Sequence, residues 1–171
     1  MTKVSLAEAV KLKSVLSKRI HELEEEMDRV AFAEVEKGSK APKQARSLPD
    51  VEKDLEEIRK DFRLLDRLMY QANVENTIEY SRENVTIVEA IELATQLRAR
   101  ARKYKQYGSA QKEEFLYPYS ENSSIVKIPM FDPEEYRLKG LEMDRLANRL
   151  SNQVNAKNYS VELDFDSEKY F

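Results

Sequence analysis

Apolar positions in the first part of the chain recur in steps of four and three residues. Between positions 6 and 36 they are Leu16, Ile20, Leu23, Met27 and Val30. This spacing places them on one face of an α-helix. Ser5 with Glu8 three residues later is a capping box, in which each side chain satisfies a backbone N–H at a helix start. The pattern predicts a first long helix, followed by a polar connection over residues 37–46.

The most regular stripe of the chain comes next. Its members are Val51, Leu55, Ile58, Phe62, Leu65, Met69 and Ala72. Ser47 and Pro49 supply an N-cap and a first-turn proline. Asn73 and Asn76 suit the helix end, because asparagine tolerates the left-handed backbone that closes helices. The spacing predicts a second long helix with coiled-coil packing.

Two more helices are predicted in the second half of the chain. Thr86 and Glu89 form another capping box, and apolar or small positions continue from there until Gly108, where we expect the third helix to stop. Asp132, followed by a proline, starts a fourth helix that should end near residues 155–158.

Short apolar runs predict a small amount of sheet. Residues 115–119 and 125–130 are too short for helices and favour a hairpin in an insertion of about residues 108–131. At about 159–166, apolar and polar residues alternate as in a strand with one buried face. The predicted fold is therefore mainly α: four long amphipathic helices in two antiparallel hairpins, a β-hairpin insertion and a C-terminal strand.

The two halves of the chain repeat one pattern. Residues 5–16 align with 86–97 at a constant offset, and QANVENT aligns with QVNAKNY at an offset one residue longer. Convergence would give some likeness, because capped amphipathic helices resemble one another. Matched starts and ends favour duplication of a hairpin, with halves of about 5–76 and 86–158. At 171 residues, the whole chain is expected to form a single domain.

Composition narrows the class of protein. Charged residues make up 36% of the chain, and there is no cysteine, which excludes disulfides, thiolate nucleophiles and cysteine metal sites. No stretch approaches the roughly 18 to 20 apolar residues that cross a bilayer, and residues 1–10 lack the apolar core of a secretion signal. We therefore expect a cytoplasmic protein without a membrane partner. The net charge of -3 gives no general attraction to nucleic acid.

Residues with catalytic or metal-binding potential are few. His21 is the single histidine, so a two-histidine metal site or a histidine relay is excluded. It is expected to be a solvated residue of a charged helix face. The acids at positions 22–28 point around the helix rather than toward one cation, and no glycine-rich phosphate loop is present. No catalytic residue, cofactor site or metal site is predicted.

A basic stretch near the end of helix three is the candidate for nucleic-acid contact. Its cations are Arg98, Arg100, Arg102, Lys103, Lys105 and Lys112. Arg98, Arg102 and Lys105 share a helical face, from which they could contact phosphates or pair with acids of a neighbouring helix or subunit. Ion pairs are the favoured interpretation, since the helix dipole also stabilises cations near a carboxyl end.

Antiparallel hairpins would bring the capping boxes close to the asparagines of the helix ends. Two polar clusters are predicted: Ser5, Glu8, Asn73 and Asn76 in one, and Thr86, Glu89, Asn155 and Asn158 in the other. They could line a polar pocket or only satisfy backbone groups at helix ends. The capping interpretation is favoured.

Five segments together resemble the septicolysin-like family of small bacterial proteins, which has no established activity. They are SLAEAVKLKSVLSKRIHELE, QANVENT, VTIVEAIELATQL, YPYSENSSIVKI and LSNQVNAKNYSVEL. The resemblance covers nearly the whole chain, although family members tend to carry tryptophan where this chain has Tyr159. The toxin activity that the family label suggests is not expected, because residues 1–10 do not resemble a secretion signal.

The favoured function is a non-enzymatic cytoplasmic scaffold or interaction protein that forms a homo-oligomer. Apolar residues outside the main stripes could face another subunit: Phe32, Leu64, Leu68, Leu138 and Leu141. Two alternatives stay open. One is a nucleic-acid-associated protein that uses the basic end of helix three, and the other is a small-ligand or enzymatic pocket at the asparagine-rich bundle end.

Overall fold

The computed structural model describes residues 3–116 and 125–170. Within them the chain forms four helices, α1 (Leu6–Ala31), α2 (Leu48–Glu75), α3 (Ile87–Gly108) and α4 (Pro133–Ser160). The strands are β1 (Val4–Ser5), β2 (Thr77–Tyr80), β3 (Glu83–Thr86), β4 (Glu114–Phe115), β5 (Val126–Lys127) and β6 (Glu162–Leu163). The predicted mainly α fold with small β elements is confirmed.

The predicted helix starts are correct because their signals are local. Ser5, Ser47 and Thr86 are N-caps with complete capping boxes, the second of which uses Asp50. The ends differ more. The first helix was predicted to reach about residue 36 but ends at Ala31, because the apolar stripe that holds it to α2 ends at Val30.

The chain divides into two compact units. The first comprises Met1–Asn76 and Ala156–Phe171, and the second is Thr77–Asn155. Helix α4 begins in the second unit, and its last turn belongs to the first. That the whole chain folds as one domain stays a prediction.

In the first unit, α1 and α2 form an antiparallel hairpin. Lys13 pairs with Asp66, whereas Glu24, farther along α1, pairs with Arg59, which precedes Asp66 on α2. Both predicted stripes lie in this interface. The buried members of the stripes are Leu16, Leu23, Val51, Leu55, Leu65 and Ala72, and the buried Leu6 and Leu12 continue the row toward the start of α1.

Residues 161–170 complete the first unit. β6 pairs with β1 in antiparallel register, with Val4 opposite Leu163, and Val161, Leu163 and Phe165 are buried. The predicted strand at 159–166 is shorter than expected because α4 continues through Ser160. Its alternation of buried and exposed residues nevertheless extends to Ser167.

The second unit contains a hairpin of β2 and β3 followed by antiparallel α3 and α4. Arg98 contacts Ser151, and Lys105, farther along α3, contacts Asp144, which comes earlier on α4. Small residues line this interface, and a Cβ atom at Gly140 would lie only 3.1 Å from the backbone nitrogen of Lys105. The two helix backbones therefore lie closer here than large side chains would allow.

Two strands, β2 and β6, each belong to the unit that is built mainly from the other half of the sequence. β2 follows α2 but belongs to the second unit, where it pairs with β3. β6 follows α4 but belongs to the first unit, where it pairs with β1. Apart from β4 and β5 of the insertion, each unit therefore holds a strand, two helices and the strand that follows the other helix pair. Duplication stays a prediction, and this reciprocal order agrees with it.

The insertion contains the expected short hairpin. Glu114 lies opposite Lys127, and Phe115 lies opposite Val126. The part of the predicted hairpin at residues 117–124 lies outside the described residues.

Replacement of Leu65 by alanine tests the leucine interface of the first unit. Leu65 has no exposed surface, whereas its neighbour Leu64 is 38% exposed. We expect Leu65→Ala to lower the free energy of unfolding by ~2 to 5 kcal/mol, because it leaves a cavity. Leu64→Ala is the matched control and should cost clearly less. Urea unfolding followed by circular dichroism measures both, and equal losses would contradict this packing.

Candidate functional site

A cleft of about 710 Å³ opens in the second unit. The end of α3, the β4–β5 hairpin and the start of α4 surround it. Its apolar lining includes Tyr107, Tyr136, Phe131, Ile128 and Met130, and its polar lining includes Gln106, Gln111, Glu114 and Lys127. We call it the aromatic cleft. Its volume and mixed lining are those of a typical binding site.

Four aromatic rings pack together at one wall of the aromatic cleft. Tyr136 contacts Tyr104, Tyr107 and Phe131 at ring-centroid distances of 5.3, 5.8 and 5.0 Å. These three contacts are edge-to-face, which the quadrupoles of the rings favour. The close approach of α3 and α4 at Gly140 brings the tyrosines of the two helices within reach of one another. The wall is therefore a packed part of the fold.

Large apolar side chains of the cleft lining and of the neighbouring hairpin are exposed. Met130 is 89% exposed and Ile128 is 52% exposed. Phe115 and Ile125 of the neighbouring hairpin are 61% and 59% exposed. Ile128 and Met130 line the same cleft, and exposed apolar residues grouped in this way are a common mark of an interaction surface.

Two of the three predicted phosphate contacts are used within the second unit. Lys105 forms an ion pair with Asp144, and a guanidinium nitrogen of Arg98 donates a hydrogen bond of 2.6 Å to the hydroxyl of Ser151. Arg102 is exposed, and within residues 3–116 and 125–170 no acid pairs with it. The shared face predicted for these cations is thus largely occupied by contacts with α4.

Other cations lie over the aromatic rings. Arg100 lies 5.7 Å from the ring centre of Tyr104, Lys103 lies 5.5 Å from that of Tyr107, and Lys139 lies 4.7 Å from that of Tyr136. Such cation–π contacts are favourable. In the sequence Tyr104 and Tyr107 are interleaved with the cations of the basic stretch, but the individual pairs were not predicted. The available signal was the spacing of four residues between Arg100 and Tyr104 and between Lys103 and Tyr107.

Five of the eight residues of the predicted polar clusters are engaged in helix capping, each at an end of its own helix. The hydroxyl of Ser5 accepts from the backbone of Glu8, and the carboxylate of Glu8 accepts from the backbone of Ser5. Thr86 and Glu89 repeat this arrangement. Asn76 donates from its side chain and from its backbone to the carbonyl of Ala72, at the end of its own helix.

The other three asparagines of the predicted clusters, Asn155 and Asn158 of α4 and Asn73 of α2, have different surroundings. Asn155 is exposed and belongs to the second unit, whereas Asn158 belongs to the first. The side-chain oxygen of Asn158 is buried without a hydrogen-bond donor among the described residues. Asn73 is half-buried. Capping accounts for Ser5, Glu8, Asn76, Thr86 and Glu89 without a ligand.

The remaining candidates are surface groups. His21 is exposed and lies 3.4 Å from Glu25, while Glu22, Glu24 and Glu26 each pair with a different arginine. Over the described parts of the chain, no group of three or more histidine, aspartate or glutamate side chains could hold a metal ion. In the same parts, every helix is too short or too polar to cross a membrane.

Comparisons with known proteins find a similar fold in a protein whose function is unknown. No protein-family model matches the chain, and no curated protein matches it. The structure is similar to the crystal structure of a functionally unknown conserved protein from Corynebacterium diphtheriae. The TM-score is 0.60 at 21% identity, over 95% of this chain and 100% of that chain. This likeness shows the fold alone, and membership of the septicolysin-like family stays a prediction.

Titration of Glu8 and Glu89 tests the capping geometry. Hydrogen bonds from Ser5 and Thr86 lower the pKa of these two carboxyls below the ordinary 4.5. The caps therefore stabilise the fold above pH 4.5, and this contribution is lost as the pH falls through the folded pKa. NMR titration of the glutamate side chains measures both values. In a Ser5→Ala variant the pKa of Glu8 should return toward 4.5 while that of Glu89 stays low. An ordinary pKa for Glu8 in the unaltered chain would contradict the capping box.

Proposed function

We propose that the protein is a non-enzymatic interaction protein of the cytoplasm that self-associates through the apolar surface of the aromatic cleft. The observation that carries this proposal is the exposure of Met130, at 89%, and of Ile128, at 52%, in the lining of one cleft. Burial of such side chains against a partner contributes about 25 cal/mol per Å² of apolar area. Charged residues make up 36% of this chain. An apolar surface on such a charged protein favours contact with a partner at that surface.

A second copy of the chain suits this surface. In a two-fold symmetric dimer the same patch of each subunit faces its counterpart. An apolar patch is compatible with itself, whereas a patch of one charge would repel its copy. The helix residues predicted to face another subunit are spread over both units, and Phe32, Leu64, Leu138 and Leu141 are exposed. Leu68 is half-buried. The cleft therefore provides a more concentrated surface than the helix positions.

Light scattering coupled to size exclusion tests self-association. We expect the unaltered chain to show an oligomer mass at micromolar concentration. Ile128→Lys combined with Met130→Lys should shift the mass toward the monomer, because two buried charges without partners oppose the contact. Val10→Lys combined with Val74→Lys is the matched control, since these residues are 51% and 60% exposed and lie in the other unit. A monomer at every concentration would refute the proposal, as would an oligomer mass that the double variant leaves unchanged.

Nucleic-acid binding is a second candidate function. Arg100 and Lys103 are exposed and lie over Tyr104 and Tyr107, and Arg102 is exposed on the same helix. Proteins that bind single strands combine cations for the phosphates with aromatic rings for the bases. Because Arg98 and Lys105 contact α4, we take Arg100, Arg102 and Lys103 as the candidate contact for this second function.

Fluorescence anisotropy with labelled single-stranded RNA tests this second function. If it holds, affinity should fall steeply with salt, because phosphate contacts release counterions. Arg100→Ala with Lys103→Ala should weaken binding at least about tenfold, since two charge contacts and their stacking are lost. Lys53→Ala with Lys60→Ala, on α2 of the first unit, provides a control with the same change in charge. Equal affinities of the two variants would exclude the α3 surface as the contact.

A further inference from the structure

The first unit is completed by a segment that follows the second unit in the sequence. β1, α1 and α2 precede the second unit in the sequence, whereas residues 161–170 follow it and still belong to the first unit. β2 makes the reciprocal crossing. A strand that leaves its own helix pair to complete another unit is thus found twice in this fold.

The contacts of residues 161–170 are those of a docked peptide. Alternate side chains Val161, Leu163 and Phe165 are buried, and the backbone N–H of Leu6 donates a hydrogen bond of 2.8 Å to the carbonyl of Val161. The ladder of β1 and β6 adds the backbone pairing. An extended strand with alternate buried side chains is a common form of peptide recognition.

A polar anchor holds the far end of the segment. Asp61 of α2 pairs with Lys169 and accepts a hydrogen bond from the hydroxyl of Tyr170. Partial burial by itself would raise the pKa of Asp61, but the hydrogen bonds from Lys169 and Tyr170 outweigh it and lower the pKa. Burial and the Asp61 carboxylate raise the pKa of Tyr170 to about 12. The anchor therefore holds a charged aspartate and a neutral tyrosine at neutral pH.

The helix turn before the segment contains an unsatisfied group. Asn158 lies in the last turn of α4, and its buried side-chain oxygen has no donor among the described residues. A buried acceptor without a partner is unfavourable. The side-chain oxygen of Asn158 thus takes no hydrogen bond from the described residues that would hold this turn in place.

We propose that residues 161–170 of one copy dock on the α1–α2 unit of a second copy in place of that copy's own segment. This inference rests on the proposed self-association. The exchanged dimer reuses every contact described above, and exchange of identical elements is a low-cost route to dimers. Contact at the aromatic cleft raises the effective concentration of the second segment and so favours exchange.

Disulfide trapping tests the exchange in the full chain, because the chain has no cysteine of its own. Val4 and Leu163 are opposite one another in the ladder. The Cα atoms of opposite residues in paired strands are close enough for a disulfide to join the two side chains. A Val4→Cys chain is mixed with a Leu163→Cys chain of different mass and oxidised. If segments exchange, the mixed disulfide should exceed that of a control pair, Val10→Cys with Leu163→Cys, by at least about tenfold, because the control positions are not paired.

A second pair guards against loss of folding at these buried positions. Ser5 and Glu162 are opposite one another in the same register and are not fully buried. A Ser5→Cys chain mixed with a Glu162→Cys chain should give the same excess. Mixed disulfide at the control level in both pairs, with circular dichroism showing folded chains, would overturn the proposal.

The disulfide test and the light-scattering test together distinguish segment exchange from contact at the aromatic cleft. An oligomer that gives no mixed disulfide above control would leave the cleft contact in place and reject exchange. A mixed disulfide that persists in the Ile128→Lys and Met130→Lys background would support exchange and reject the cleft as the contact that promotes it.

Discussion

Every helix of this protein depends on a partner helix that covers its apolar stripe. An isolated helix in water is only marginally stable, so the packing of the stripe holds it. In the first unit leucines such as Leu12, Leu16 and Leu65 fill the interface. In the second unit Ala94, Ala101, Gly140 and Ala147 allow the backbones to approach closely. This close approach brings Tyr104 and Tyr107 of α3 against Tyr136 of α4, so the helix interface also builds the wall of the aromatic cleft.

Charge on this protein is mostly used locally. Pairs such as Arg137 with Glu134 and Arg145 with Glu142 lie on exposed helix faces, where solvent screens them and they add little to stability. The capping carboxylates satisfy backbone N–H groups that the helix leaves without partners. Lys105 and Arg98 add contacts between α3 and α4. Helix packing and capping do not explain the exposed apolar residues Met130 and Ile128 in the lining of the cleft, and the proposed self-association follows from them.

The strands give the fold its long-range connections. Each strand pair is short, and the pair of β1 and β6 has only two residues in each strand. The burial of Val161, Leu163 and Phe165 and the anchor at Asp61 therefore hold the segment as much as the ladder does. A segment held by side-chain burial and one polar anchor, rather than by a long ladder, resembles a bound peptide, and this likeness leads to the proposed exchange between copies.

The sequence by itself determined the elements that rest on local signals. Helix starts follow from capping boxes within four residues, the stripe of α2 follows from its spacing, and the hairpin of β4 and β5 follows from short apolar runs. Only the tertiary structure decided that β6 pairs with β1, that Lys105 meets Asp144, and that Tyr104, Tyr107, Phe131 and Tyr136 form one wall. These contacts join residues far apart in the sequence. They depend on how closely two helices pack and on which strand pairs in which unit. Neither the packing distance nor the strand pairing is encoded in the spacing of residues along one helix.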